Sequence, residues 1–231
     1  MAGPYHIAII MDGNRRFAKR LMLEPWKGHE WGRKKIEEVL DWCQTAKVKE
    51  LTLYAFSMQN FNRPKKEFDY LMKVFKDACR DLLKDPRIEK HGIRVRFLGR
   101  IQLFPDDLHN LMNEVMNKTR MNDKFYLNMC MAYGGREEVT DAIKKIARSV
   151  KEGLIKPEEI DEELIAKYLY MKDEPDMIIR TGQERRTSNF LIWQGNYSEL
   201  FFLDKHWPEF SKKDFMDCIK EYKKRERRFG K

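Results

Sequence analysis

Six short apolar runs alternate with stretches whose apolar residues recur at helical spacing, and this alternation restricts the fold more than any other feature of the chain. The runs 6–11, 50–56, 93–99, 125–131, 177–180 and 199–202 read as strands. Between them, Ile36, Val39, Leu40, Cys43 and Ala46 share one helical face, as do Phe68, Leu71, Met72, Phe75, Cys79, Leu82 and Leu83. Leu108, Leu111, Met112, Val115 and Met116 form a third stripe, and Val139, Ile143, Ile146 and Val150 a fourth. Strands joined through helices run parallel, with the crossovers covering both faces of the sheet. The expectation is an α/β fold in one domain over residues 1–231, with a six-stranded, mostly parallel central sheet flanked by helices. In such sheets ligands gather at the carboxyl ends of the strands.

Several of these strand ends carry charge. The first run stops at Asp12-Gly13-Asn14-Arg15-Arg16. A carboxylate can hold Mg²⁺, a glycine lets backbone N–H groups approach an anion, and guanidiniums neutralise phosphate oxygens. The same five residues also suit an ordinary Asx turn with surface arginines. The second run is followed by Ser57, Asn60, Phe61 and Arg63, with Pro64 opening a helix. Its aromatics suit base recognition, the wall of an apolar pocket, or a plug for the core. The fifth run ends in Arg180-Thr181-Gly182, followed by Arg185, Arg186 and Ser188 and then the apolar Phe190–Trp193. Polar and greasy groups side by side suit an amphipathic phosphate ester. Gly28-His29 sits ahead of a helix expected from about Arg33, and Glu199 offers a further carboxylate.

The net charge is +9, and residues 212–231 hold nine basic and four acidic side chains. Such a tail can meet nucleic acid, an anionic membrane or a polyphosphate substrate. An RNA-binding module using the tail with Phe56 and Phe61 is the reading from another class, and it gives Asp12 no role. No basic region followed by an apolar stretch opens the chain, and no window approaches the ~18 apolar residues of a membrane span. Cys43, Cys79, Cys130 and Cys218 form no CxxC pair and read as reduced core residues. A cytoplasmic protein is expected, with peripheral membrane contact left open.

In order, His6–Asn14, Gly28-His29, Leu53–Ser57, Asn62-Arg63-Pro64, Asn128, Ala132–Arg136, Ile179–Gly182, Ser188–Leu191, Trp207-Pro208 and Arg228-Phe229-Gly230 resemble the cis-prenyltransferase family, the undecaprenyl and dehydrodolichyl diphosphate synthases. The resemblance covers nearly the whole chain. It implies a homodimer, or a heteromer with a homologous subunit, that adds isopentenyl diphosphate to an allylic diphosphate with cis geometry. The product would be the precursor of a glycosyl-carrier lipid, released with transient membrane-surface contact, and no nucleic-acid partner is expected. It further implies that Asp12 binds Mg²⁺ and helps ionise the allylic diphosphate, with Glu199 approaching that metal from the partner subunit. Gly13, Asn14, Arg15, Arg16, His29, Phe61 and Arg63 would serve the allylic diphosphate. Ser57 and Asn60 would lie at the reacting centre, and residues 57–63 would form a mobile lid. Arg180, Arg186, Ser188, Arg228 and Gly230 would bind isopentenyl diphosphate. An apolar tunnel would hold the growing tail, with the stripes from Phe68 and Val139 as candidate walls. The chain departs from the family pattern at Arg15, where bacterial members usually have glycine, and at Phe17, in place of tryptophan. It also has Pro25 in place of arginine, Gln59 in place of an acid, and Arg185 in place of a proposed metal-binding histidine.

Overall fold

The computed structural model describes residues 3–225. Its six strands are β1 (His6–Ile10), β2 (Glu50–Ser57), β3 (Ile93–Leu98), β4 (Phe125–Tyr133), β5 (Met177–Arg180) and β6 (Glu199–Phe202). They form one sheet in the order β3-β4-β2-β1-β5-β6, and every pairing is parallel rather than mostly so. The eight α-helices are α1 (Asn14–Arg20), α2 (Gly28–Ala46), α3 (Lys65–Lys84), α4 (Pro86–Lys90), α5 (Asp106–Thr119), α6 (Gly135–Lys151), α7 (Glu162–Tyr168) and α8 (Lys212–Lys224).

The central strands are apolar on both sides because both faces of the sheet are covered. In β1, Ile7 and Ile9 point to one face and Ala8 and Ile10 to the other. The first face joins Leu51, Leu53, Val95 and Leu127 to the buried stripes of α2, α3, α5 and α8 in one large cluster. The second face packs Ala8 and Ile10 with Tyr133, Ile178, Phe190 and Leu191, and α6 is tied to it by Glu138, which accepts from the Tyr133 hydroxyl. Each fully buried leucine or isoleucine stabilises the fold by about 1.5–3 kcal/mol.

Local chemistry sets the helix ends. Helix α2 begins at Gly28, five residues earlier than the sequence reading, after a 3₁₀ turn Pro25–Lys27. It stops where Lys47 turns left-handed at φ 61°. Asp85 ends α3, and its carboxylate accepts the Arg87 N–H to start α4, with Pro86 at the first position. The four cysteines are buried and unpaired, and burial pushes the Cys43 thiol well up. Among the described residues no helix is long and apolar enough to cross a membrane.

Candidate active site

The register aligns Ile10 with Arg180 on β5 and with Tyr54 on β2, so three chains leave the sheet side by side. Asp12 is fixed there through its backbone. Its N–H donates to Ile10 O (2.9 Å) and Thr181 Oγ1 (3.1 Å), and its carbonyl accepts from Trp207 N (2.9 Å) and Thr181 Oγ1 (2.8 Å). The carboxylate is therefore aimed, not free to wander. Oδ2 accepts from Arg180 Nη2 at 2.8 Å, while Oδ1 accepts the Gly13 N–H at 2.6 Å and faces Arg16 Nη2 at 3.2 Å. Gly13 has φ +103°, and a Cβ there would lie 2.7 Å from His206 Nδ1, so the turn needs glycine on both counts. Asn14 turns inward, donating to Met11 O at 3.1 Å, and packs against Gly32 of α2. Its side chain packs α1 against α2, while the residue still lines both the cavity and the polar basin described below.

Arg180 is the best-held cation. Its side chain is 5% exposed, Nη1 donates to Ser188 Oγ at 2.8 Å and to the Arg186 carbonyl, and Nε has no partner. The loop that meets it is strained. Gln183, Ser188, Asn189 and Leu191 all have positive φ (70°, 51°, 64° and 45°), each costing on the order of 1–3 kcal/mol. The first turn of α6 holds this shape: Asn189 accepts from Arg136 N and donates to Glu137, and its carbonyl accepts from Gly135 N. The Arg186 guanidinium instead reaches out to Glu184 at 2.5 Å and is 61% exposed.

Across the opening, Arg15 of α1 and Arg63, just ahead of α3, supply a second cationic set around His29 of α2. Arg63 pairs with Glu67 and lies 3.4 Å from His29 Nε2. Arg15 approaches the same Glu67 at 3.6 Å. Desolvation, then the charges of Arg63 and Arg15, push His29 down to about 3. The imidazole is therefore neutral at pH 7; with Nε2 accepting from Arg63, Nδ1 carries the ring's one N–H donor. Glu67, 2% exposed, is a residue the sequence reading missed. Its signal was the Arg63/Glu67 spacing of four across the start of a helix. Ser57 and Asn60 cap one another: Asn60 Oδ1 accepts the Ser57 N–H at 2.9 Å, fixing the 3₁₀ turn Met58–Asn62.

These groups surround a cavity of about 270 Å³ that Asp12, His29, Ser57, Asn60, Arg63 and Arg180 line at one end. Ile36, Val74, Phe75 and Ala78 line the rest, between α2 and α3. A polar basin of about 460 Å³ shares Asp12, Asn14, His29 and Arg63 with it and adds Gly13, Arg15, Arg16, Lys19 and Arg186. A third space of about 100 Å³ continues between the same helices past Ala78 to Leu82, Ile88 and Leu127. A charged head, a reacting centre and an apolar body thus follow one another along α2.

A family model described as putative undecaprenyl diphosphate synthase matches residues 10–230. The chain is 50% identical over 229 residues to the tritrans,polycis-undecaprenyl-diphosphate synthase (geranylgeranyl-diphosphate specific) of Thermococcus kodakarensis, covering 98% of this chain and 87% of that one. The protein of the same name from Methanocaldococcus jannaschii is 47% identical over 232 residues, covering 99% and 83%. Lavandulyl diphosphate synthase from Lavandula x intermedia, solved with dimethylallyl diphosphate, superposes with a TM-score of 0.92 at 32% identity, covering 100% of this chain and 99% of that one. A probable undecaprenyl diphosphate synthase from Campylobacter jejuni gives 0.83 at 31%, covering 100% of both. The chain belongs to this cis-prenyltransferase family.

A cis-prenyltransferase joins isopentenyl diphosphate to an allylic diphosphate, and the chain is a transferase of this kind. Some of the residues expected in a cis-prenyltransferase site lie elsewhere. Glu199 pairs with Met177 at the amino end of β5, three residues before the edge that Arg180 marks. Its carboxylate accepts from Arg225 Nη1 at 2.7 Å, so one chain does not bring it to Asp12. Phe61 packs its ring on Phe56, Phe68 and Phe104 at 5.1–5.9 Å and plugs the core. The Val139 stripe belongs to α6 and lines none of the three spaces, so of the two candidate stripes only that of α3 forms a wall. Arg228 and Gly230 lie outside the described residues.

Proposed function

We propose that this cis-prenyltransferase extends geranylgeranyl diphosphate with successive isopentenyl diphosphate units to a long cis-polyprenyl diphosphate, the precursor of a glycosyl-carrier lipid. The primer follows from relatives at 50% identity that are named as geranylgeranyl-diphosphate specific. The observation that carries the reading is Asp12, held between two cationic sets where the polar basin meets the apolar cavity. The allylic head then sits among Arg15, Arg16, His29 and Arg63, with its tail between α2 and α3. The isopentenyl head sits on Arg180, Arg186 and Ser188. The allylic C–O bond breaks, its electron pair leaves with the diphosphate, and the isopentenyl double bond supplies the pair for the new C–C bond. The proton lost from the isopentenyl unit needs an acceptor. Ser57 and Asn60 can pass a proton but not keep one at neutral pH, so the released diphosphate accepts it. The walls of Ile36, Val74 and Phe75 keep water from the allylic cation.

Asp12 and Glu184 are the carboxylates that line the basin, Glu184 being paired with Arg186, and no group of three metal-ligating side chains gathers among the described residues. Mg²⁺ is commonly held by one or two carboxylates together with substrate phosphates, so this donor set fits an ion that arrives with the diphosphate. When bound, it would neutralise charge on the departing group. A second copy of the chain is the source we assign for Glu199 and the terminal Arg228-Phe229-Gly230. Ile143 on α6 and Ile192 and Leu200 around the edge strand β6 are exposed apolar residues that suit such a homodimer. The cytoplasm, at the membrane surface, is the location we assign.

The test is the purified chain with Mg²⁺, labelled isopentenyl diphosphate, and either geranylgeranyl or farnesyl diphosphate, with products separated by chain length. The expected result is a ladder of long products and a primer preference of about tenfold in kcat/KM, some 1.4 kcal/mol. A folded protein that elongates neither primer at any concentration would make the chain a subunit of a heteromeric synthase instead.

A further inference from the structure

Helix α1 buries Asn14 and Ala18, and its other apolar residue, Phe17, is half-buried beneath Arg20. The Phe17 ring lies 6.0 Å from Trp31 of α2, edge to face, and Trp31 is 39% exposed. The chain then leaves the helix through Leu21, 43% exposed, and Met22, 95% exposed. Met22 has φ 57°, an unfavourable backbone for a long side chain, and here no packing contact offsets it. Single exposed apolar residues are ordinary, but Leu21, Met22 and Trp31 are exposed together, beside the half-buried Phe17, at the junction of two packed elements. Residues 15–34 carry seven basic and two acidic side chains. Of these cations, Lys19, Lys27 and Lys34 have no ion pair among the described residues, and all three are exposed.

We propose that this tip, formed by the last turn of α1, the turn into α2 and the exposed side of α2, docks the enzyme on an anionic lipid bilayer. Apolar side chains with a tryptophan, ringed by unpaired lysines, match a surface that is greasy inside and negative at its headgroups. The placement adds to this. Lys19 also lines the polar basin, so the docked tip borders the entrance for a diphosphate head. The choice of occupant rests on the reading that substrate and product are prenyl diphosphates, which partition into bilayers.

The test is co-sedimentation of the full chain, without substrate, with vesicles of phosphatidylcholine and phosphatidylglycerol or of phosphatidylcholine alone. The wild type is expected to bind the mixed vesicles, and Leu21→Ser/Met22→Ser to lose about tenfold or more of that affinity. Lys27→Glu/Lys34→Glu is expected to remove the preference for phosphatidylglycerol. All four side chains are exposed, so both variants should melt like the wild type and elongate primer normally in vesicle-free buffer. No vesicle binding by the wild type would overturn the proposal. So would undiminished binding by both variants, which assigns the contact to another surface such as the basic residues 212–231. A change of oligomeric state in Leu21→Ser/Met22→Ser would also overturn it, by making the tip an interface with a second copy. Because binding is read without substrate, failure of docking and failure of elongation are separate results.

Discussion

At the carboxyl ends of β1 and β5, Asp12 meets Arg180 at 2.8 Å; in the amino half of the same sheet, Glu50 meets Arg96 at 2.7 Å. The chemistry is alike and the surroundings are not. Around Glu50, most donors and acceptors satisfy one another, His6 Nδ1 being the buried atom left over. Asn128 donates to Glu50 (2.7 Å) and Thr52 (2.9 Å) and accepts from Arg96 Nε (2.7 Å), and His6 shares a hydrogen bond with Thr52 (2.7 Å). The four strands β1 to β4 each contribute, so this network rewards a single register. Around Asp12 the counterparts are unfinished. Arg180 Nε has no partner, the backbone at Ser188 and Asn189 is strained, and the pair opens onto a cavity. Each cluster leaves one buried atom over, but of the two only the Asp12–Arg180 pair borders a cavity where a ligand can supply the missing acceptor.

The largest way to break this contrast is at the reacting centre. Asp12→Ala should lower kcat by about 10³, the range seen when a preorganised charge partner is removed, while the chain stays folded with a loss of about 1–3 kcal/mol for leaving the Arg180 guanidinium without its counter-charge. Wild-type turnover would remove Asp12 from the chemistry. The mirror-image change, Glu50→Ala, strands Arg96 and Asn128 and should destabilise the fold by about 3 kcal/mol with little effect on either KM. Denaturant unfolding with steady-state kinetics reads both, and a selective KM effect would deny that this cluster is structural.

A ligand-rescue experiment sharpens the comparison. Glu67→Ala leaves Arg63 and Arg15 without their shared counter-charge and should cost about 2 kcal/mol. Inorganic diphosphate, an acceptor for the same guanidiniums, should recover most of that loss, whereas it should recover none of the Glu50→Ala loss. Equal responses in thermal melts would mean that the two clusters do not differ as described.

How much of this was legible depended on whether the signal was local. The strands were, because runs such as Ile7–Ile10 and Met177–Ile179 are apolar on both faces, and their observed limits differ from the reading by two residues at most. Asp12 and Arg180 were legible as charges at strand ends. Glu67 was harder to read, since on a helix it resembles one more solvated acid, and its pairing with Arg15 comes from another element. Glu199 could be named from the family pattern but not located, because the parallel register carries it to the far end of the sheet. Phe61 shows the same limit: an aromatic beside polar loop residues suits a ligand wall or a core plug, and packing against Phe56 decides for the plug.

Each cluster also holds a neutral histidine, and these give the smallest and most selective test. Desolvation is the main cause in both, holding His6 down at about 4 and His29 at about 3, against 6.5 in the unfolded chain. With the folded values depressed, the unfolded state takes up protons first. The stabilisation is therefore complete above about pH 6.5 and lost as the pH falls toward the folded values, with a slope approaching 1.4 kcal/mol per pH unit for each histidine. A diphosphate beside His29 favours its protonated form and raises its folded value, while His6, across the sheet, feels nothing. Added diphosphate should thus flatten the acid limb by about 1 kcal/mol between roughly pH 6 and 5, and His6→Asn should flatten it again, independently. Melting curves against pH, with and without diphosphate, separate the two shares. If diphosphate left the acid limb of the wild type as steep as before, His29 would not border the bound anion, and the opening between α2 and Asp12 would have to be given another purpose.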